Sequence, residues 1–374
     1  MNRFCAPGKG DKISCFSKKS LIKIAENWNK KNKTKINLEL SKDELWQQLN
    51  HNFKNIIKCP QEWCWLDTKY VKETKDEEIL YNTFRHKRPI EWEKNKTAWL
   101  STTNISDVLE QYKFKYKDFE FIGPVPIDFD SKLDNTGICV VDELCKFNLE
   151  NLLKNGKKKI GIVFNLDSHD KRGSHWVSMY SDFDKGGIYY FDSYGFEPCE
   201  KIHELLKRIH EQGNTAVLNN IISLTDEHSD IFKIKKIGKN SVKLKNNIFL
   251  KNDIVATFFG DKKYDFIINK VLDVKNNILI LEKPVKSFHN YIINLGFKIF
   301  FNKVRHQYKA SECGTFCIFY ITEFLSGKSF EEISKDEITD DRVFKCRYIF
   351  YRPNSKEDID NGTSDRIEDF LKKF

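Results

Sequence analysis

Four side chains in this 374-residue chain are of the types that thiol-based acyl chemistry uses. Cys313 stands in SECGTFC, directly before the apolar run GTFCIFYITEFL, whose length and composition predict a buried helix ending near Gly327. A thiolate is favoured at a helix N-terminus, where backbone N–H groups without intrahelical acceptors carry partial positive charge. Gly314, the next residue, lets the backbone approach a bound chain closely. Cys317 lies one turn further in and reads as core.

A thiol nucleophile needs a base presented by a rigid element. His175 opens a predicted strand in GSHWVSMY, and Asp192 lies near the end of the next predicted strand, in YYFDSYG. A hairpin joining the two strands sets these side chains together, so that the carboxylate holds one imidazole nitrogen and the other serves the thiol. Gln307 precedes Cys313 by a short loop that can aim its amide at an oxyanion beside the Cys313 backbone N–H. Taken singly, a strand histidine, an FDS strand end and a Cys-Gly before a helix are as readily structural as chemical. Their joint order points to nucleophilic catalysis.

The elements that must position these groups follow from the pattern around them. KKIGIVFNLD (158–167), HWVSMYSDF (175–183) and GIYYFDSYG (187–195) read as three successive strands. PCEKIHELLKRIHEQG reads as a helix with Ile202, Leu205, Leu206 and Ile209 on one face, Pro198 before its start and Gly213 at its end. Between 226 and 288, short strand-like pieces separated by the turns KNN and GDKK predict a compact β-barrel-like insert. The stretch SFEEISKDEITDDRVFKCRYIFYRP predicts one further helix closed by Pro353. Residues 1–90 read as a mainly helical accessory domain, with a capping box from Ser41 to Glu44 and a Trp-rich knot, CPQEWCWL, packed inside it or against the core. The expected division is therefore 1–90, then a catalytic core of 91–225 plus 289–374, interrupted by the 226–288 insertion.

Bulk composition sets limits on these assignments. Hydrophobic residues make up 40% and charged residues 31% of the chain, a mixture that describes a folded protein rather than a disordered one. The net charge of +9 is spread along the chain, which leaves weak DNA binding through a basic surface open but favours an ordinary solvated surface. The start MNRFCAPGKGDKISCF has no apolar run of signal-peptide length, and no stretch is long enough to span a bilayer; an intracellular protein without membrane contact is expected. Ten cysteines in such a compartment read as reduced thiols. A zinc site from Cys5, Cys15, Cys59 and Cys64 is the sharper alternative, but their spacings are irregular and no C-x-x-C pair occurs.

The ordered set His175-Trp176, Asp192, and Gln307 with five residues before Cys313-Gly314 resembles the superfamily of cysteine peptidases that unites the SUMO-specific proteases with adenain. WLSTTNI (99–105) is similar to the segment that starts the catalytic domain in these enzymes. The nucleophile motif reads ECG where DCG is commoner, and the interval from Asp192 to Gln307 is about twice that of cellular relatives. The resemblance implies an α+β, papain-like/adenain-type fold, a central mixed sheet flanked by helices, carrying a helical N-terminal accessory domain and a small β-rich insertion. It implies a Cys313, His175, Asp192 and Gln307 tetrad that needs no cofactor. It also implies that Trp99 and Trp176 flank a narrow channel admitting only Gly-Gly. The layout, including CAPGKG, CPQEWCW, FIGPVPIDF and YFDSYGFEP, resembles thiol proteases of large nucleocytoplasmic DNA viruses, related to the African swine fever virus polyprotein protease. That implies a protein substrate with a Gly-Gly-like site in viral precursors, cut in the virus factory or particle. Alternatives are a deconjugase of ubiquitin or SUMO-like modifiers, an acetyltransferase of the YopJ kind, and an inactive binding protein.

Overall fold

A computed structural model describes residues 4–133, 136–224, 231–259 and 266–354. In chain order the described helices are α1 (Lys18–Lys31), α2 (Lys42–Asn55), α3 (Glu62–Trp65), α4 (Lys69–Lys72), α5 (Glu77–Tyr81), α6 (Thr102–Lys115), α7 (Asp142–Cys145), α8 (Leu149–Lys154), α9 (Glu200–Leu218), α10 (Cys313–Leu325), α11 (Phe330–Ser334) and α12 (Asp340–Phe350). The strands are β1 (Phe119–Pro126), β2 (Lys159–Asn165), β3 (Trp176–Asp182), β4 (Gly187–Phe191), β5 (Ile231–Lys236), β6 (Ser241–Leu244), β7 (Ile254–Phe258), β8 (Phe266–Lys275), β9 (Ile278–Leu281), β10 (Tyr291–Asn294) and β11 (Lys298–Phe301). They form two compact units. The first holds the described residues of Met1–Lys117, His306–Leu325 and Glu337–Phe374, and the second those of Asp118–Arg305 and Ser326–Asp336.

The first unit is helical. Ser41 and Glu44 close the capping box that starts α2, so two of the amides that a helix start leaves unpaired are satisfied. α1 and α2 bury Trp28, Leu21, Leu45 and Phe53 against Trp65 and Tyr70, with Phe53 and Trp65 stacked at 4.4 Å. Each such aromatic contributes about 2 to 3 kcal/mol of burial. The Trp-rich knot lies inside this cluster. α10 is apolar on all sides because it packs against both α6 and α12.

The second unit is a five-stranded mixed sheet of order β1-β2-β3-β4-β11, in which β1 and β11 run parallel to their neighbours and β2, β3 and β4 are antiparallel. α9 lays Ile202, Leu205, Leu206 and Ile209 on the core of this unit, with Val177, Met179 and Tyr190 of the sheet. Strands β10-β5-β6-β9-β8-β7 close a small barrel around Val242, Val255, Val271, Leu279 and Ile292. The barrel takes in the described strands of the 226–288 stretch and also β10, which lies beyond that range in the part expected to belong to the core; the GDKK turn lies outside the described residues. Buried groups fasten it to α9: His210 Nε2 meets Asp253 Oδ1 at 2.7 Å, and Asn214 donates to Asn252 O while accepting from Phe297 N. The architecture is α+β, a mixed sheet with flanking helices, a helical N-terminal region and a β-rich insertion.

Three expectations are corrected. α9 runs through Gly213 instead of ending there; a Cβ at this position would lie 2.6 Å from the Phe297 ring, so the glycine makes room for a core contact inside the helix. The single C-terminal helix is two, because Ser329 caps α11, Thr339 caps α12, and the Ile338 N–H between them is drawn to His306 Nδ1. Cysteines expected as reduced thiols are paired as Cys5–Cys15, Cys59–Cys64 and Cys139–Cys145. The partners in each pair are separated by only 10, 5 and 6 positions, so a local turn suffices to bring them together. Cys313 and Cys317 take part in no disulfide. Among the described residues no helix is long and apolar enough to cross a membrane.

Candidate active site

The candidate base, His175, belongs to the second unit. The antiparallel register that sets Ser178 opposite Phe191 carries on past the strand ends to place His175 across from Tyr194. The two rings stack with centroids 4.7 Å apart. Asp192 lies on the same face, and its Oδ1 meets His175 Nε2 at 2.8 Å. The same oxygen accepts the Tyr194 N–H at 2.9 Å, and the carboxylate is 2% exposed. A buried acceptor so bonded fixes the orientation of the imidazole and puts the ring proton on Nε2.

Asn302, which follows β11, was not singled out from the sequence. Its Oδ1 accepts the Asp192 N–H at 2.9 Å, and its Nδ2 donates to the carbonyls of Asp192, at 2.9 Å, and Val304, at 3.0 Å. The side-chain amide continues the parallel β4–β11 ladder beyond the last backbone pair and clasps both backbone groups of the carboxylate residue. An asparagine closing the apolar strand KIFF was the only available signal. Arg305 adds a cation above the Tyr194 ring, 5.4 Å from its centroid.

The candidate nucleophile, Cys313, belongs to the first unit. Cys313 occupies the first position of α10, and the carbonyl of Glu312 accepts the first intrahelical bond, from Phe316 N at 2.8 Å. The sulfur thus sits at the end of a helix where backbone amides present partial positive charge. Gln307 is fully buried, and its Nε2 donates to Lys309 O at 2.6 Å, which fixes the orientation of the amide within its loop.

His306 anchors the start of that loop. Its Nδ1 accepts from Ile338 N at 3.0 Å, which requires the neutral ring with its proton on Nε2, 3.2 Å from the Tyr320 hydroxyl. Burial pushes the imidazole down to about 4, so the ring stays neutral. The Asp340 carboxylate then takes both Tyr308 N, at 2.9 Å, and Lys309 N, at 3.0 Å.

Of the two tryptophans, Trp99 lies in the first unit and is 49% exposed, an unusual state for a core indole. Trp176 opens β3 in the second unit and is buried. The structure therefore brings His175 and Asp192 into one bonded pair and places Gln307 and Cys313 on one loop and helix start.

Comparison with known proteins accords with this chemistry. No family model matches the chain. An Acanthamoeba polyphaga mimivirus protein provisionally named a thiol protease is 26% identical over 369 residues, covering 93% of each chain. An African swine fever virus SUMO-1 cysteine protease is 27% identical over 143 residues, covering 34% of this chain and 52% of that protein. The crystal structure of the African swine fever virus protease matches with a TM-score of 0.54 at 18% identity, over 94% of this chain and 96% of that one, which establishes the shared fold. The chain is a cysteine-type peptidase that resembles the thiol proteases of large DNA viruses in sequence and in fold.

Proposed function

We propose that this peptidase cleaves after Gly-Gly-like sites in viral structural precursors during particle maturation, with Cys313 as nucleophile, His175 as general base, Asp192 as orienting carboxylate and Gln307 as oxyanion donor. The observation that carries the assignment is the bond of 2.8 Å between His175 Nε2 and Asp192 Oδ1. A histidine held this way keeps its lone pair on Nδ1, the state in which a base receives a proton.

In the proposed reaction Nδ1 takes the thiol proton of Cys313, and the sulfur adds to the scissile carbonyl carbon. The resulting oxyanion is received by Gln307 Nε2 and the Cys313 backbone N–H. Collapse expels the amine, which leaves with the imidazolium proton. Water, deprotonated by the same imidazole, then opens the thioester and releases the acid and the free thiol. Trp99 and Trp176 are assigned to substrate binding, because an indole face close to the backbone excludes a Cβ and thereby selects glycine.

Cleavage of a Gly-Gly-X peptide by the parent protein, with binding but no turnover by Cys313→Ala, is the expected result. Continued cleavage by that variant would remove Cys313 from the role. A second reading, a deconjugase of ubiquitin-like modifiers, is favoured by the name of the African swine fever virus relative. Reaction with a modifier bearing a C-terminal electrophile, set against cleavage of capsid precursors, separates the two. The proposed place of action is the virus factory or the particle. Weak DNA binding through the basic surface remains part of the proposal, and a steep salt dependence of DNA affinity would support it.

A further inference from the structure

The residue before the nucleophile is a buried carboxylate. Glu312 is 1% exposed, and its Oε2 accepts from Arg347 Nε of α12 at 2.7 Å. Arg347 is itself fully buried, and its remaining nitrogens go to backbone carbonyls on two separate segments. Nη2 donates to Ser311 O at 3.0 Å, beside the nucleophile, while Nη1 donates to Lys96 O at 3.2 Å and Ala98 O at 2.8 Å, directly before Trp99. The Trp92 ring lies 4.6 Å from the guanidinium carbon, and its Nε1 also donates to Ala98 O. Two turns earlier on the same face of α12, Asp340 holds Tyr308 N and Lys309 N. α12 therefore grips the nucleophile loop at both ends, and through Arg347 it also grips the segment that carries Trp99.

A buried ion pair is a poor source of stability, because desolvating both charges offsets their attraction; an apolar pair of similar volume would join α12 to its neighbours as well. What the pair supplies is direction. A guanidinium presents donors in a rigid planar fork, and each demands an acceptor in one place. A displacement of residues 96–98 relative to 311–312 leaves part of a buried charge uncompensated, so the two segments are held in a single register.

We propose that Arg347, with Glu312 as its counter-charge, is a positioning residue that fixes the Trp99 segment to the Cys313 loop and thereby sets the selection of glycine beside the nucleophile. The inference rests on the proposed roles of Trp99 and Cys313. Lysine at 347 keeps the charge but not the fork, and aspartate at 312 keeps the charge but shortens the reach by about 1.5 Å, one C–C bond.

The test compares kcat/KM on Gly-Gly-X and Gly-Ala-X peptides for the parent, Arg347→Lys, Glu312→Asp, Trp99→Ala and the Trp99→Ala/Arg347→Lys double variant, with thermal melting of each. Arg347→Lys is expected to lower the preference for Gly-Gly-X about tenfold, Glu312→Asp by a smaller factor, and the double variant no further than Trp99→Ala alone. That non-additivity is the signature of an action through Trp99, which a purely structural arginine would not give. Unchanged preference in a folded Arg347→Lys protein, or additive losses in the double variant, would overturn the proposal. Failure of both Arg347→Lys and Glu312→Asp to fold would overturn it in favour of a structural role. If the parent cuts neither peptide, the functional assignment fails first and takes this inference with it.

Discussion

His175 and Asp192 are held by a β-sheet, whereas Cys313 and Gln307 are held by a loop whose shape depends on side chains far along the chain. On the base side, strand register sets the spacing, and Asn302 extends the ladder by one step to secure Asp192. On the nucleophile side, His306, Asp340 and Arg347 fix the 306–312 loop through bonds to backbone atoms, and two of the three reside on α12. Regular backbone geometry positions one half; buried polar groups with demanding geometry position the other.

Substitutions can break this contrast. Cys313→Ala should abolish turnover with an unchanged melting temperature, read by peptide cleavage and thermal unfolding. Asp192→Asn should lower kcat about a thousandfold with little change in KM, since an amide no longer enforces the tautomer of His175. The next effect belongs to the nucleophile side alone. The folded-state value of His306, near 4, lies below the ordinary value of 6.5, so the unfolded chain binds a proton that the folded chain refuses. The stability this group provides is complete above pH 6.5 and is lost as pH falls toward 4, by about 2 to 3 kcal/mol. Denaturant unfolding of the parent against His306→Gln over this range should show the acid-labile component disappear in the variant. Asn302→Ala should cost about 1 to 2 kcal/mol and lower kcat about tenfold, by loosening Asp192. The smallest effect is at Ser101, which caps α6 through Asn104: Ser101→Ala should cost about 1 kcal/mol in unfolding and leave the reaction unaltered.

The same contrast explains what could be read from the sequence. The three strands at 158–167, 175–183 and 187–195 were legible because their apolar and aromatic residues are contiguous and turns separate them, and the hairpin then fixed which positions could meet. The barrel was legible as closely spaced short strands. Gly213 misled because a glycine signals a helix end until the Phe297 ring that needs its space is known. The division between α11 and α12 depends on His306 drawing away an amide, a contact no local pattern encodes. Asn302, Asp340 and Arg347 escaped notice for the same reason, since each holds a backbone group far along the chain, from 31 positions away for Asp340 and Lys309 to 251 for Arg347 and Lys96.

The central claim, that Cys313 is the nucleophile activated by His175, is tested most directly by a Gly-Gly peptide bearing a C-terminal electrophile. The adduct is then located by mass spectrometry among the ten cysteines. The account predicts modification at Cys313 alone, abolished in Cys313→Ser and markedly slowed in His175→Ala. Modification of Cys199, the exposed free thiol, in place of Cys313, or labelling of Cys313 at an undiminished rate in His175→Ala, would contradict it.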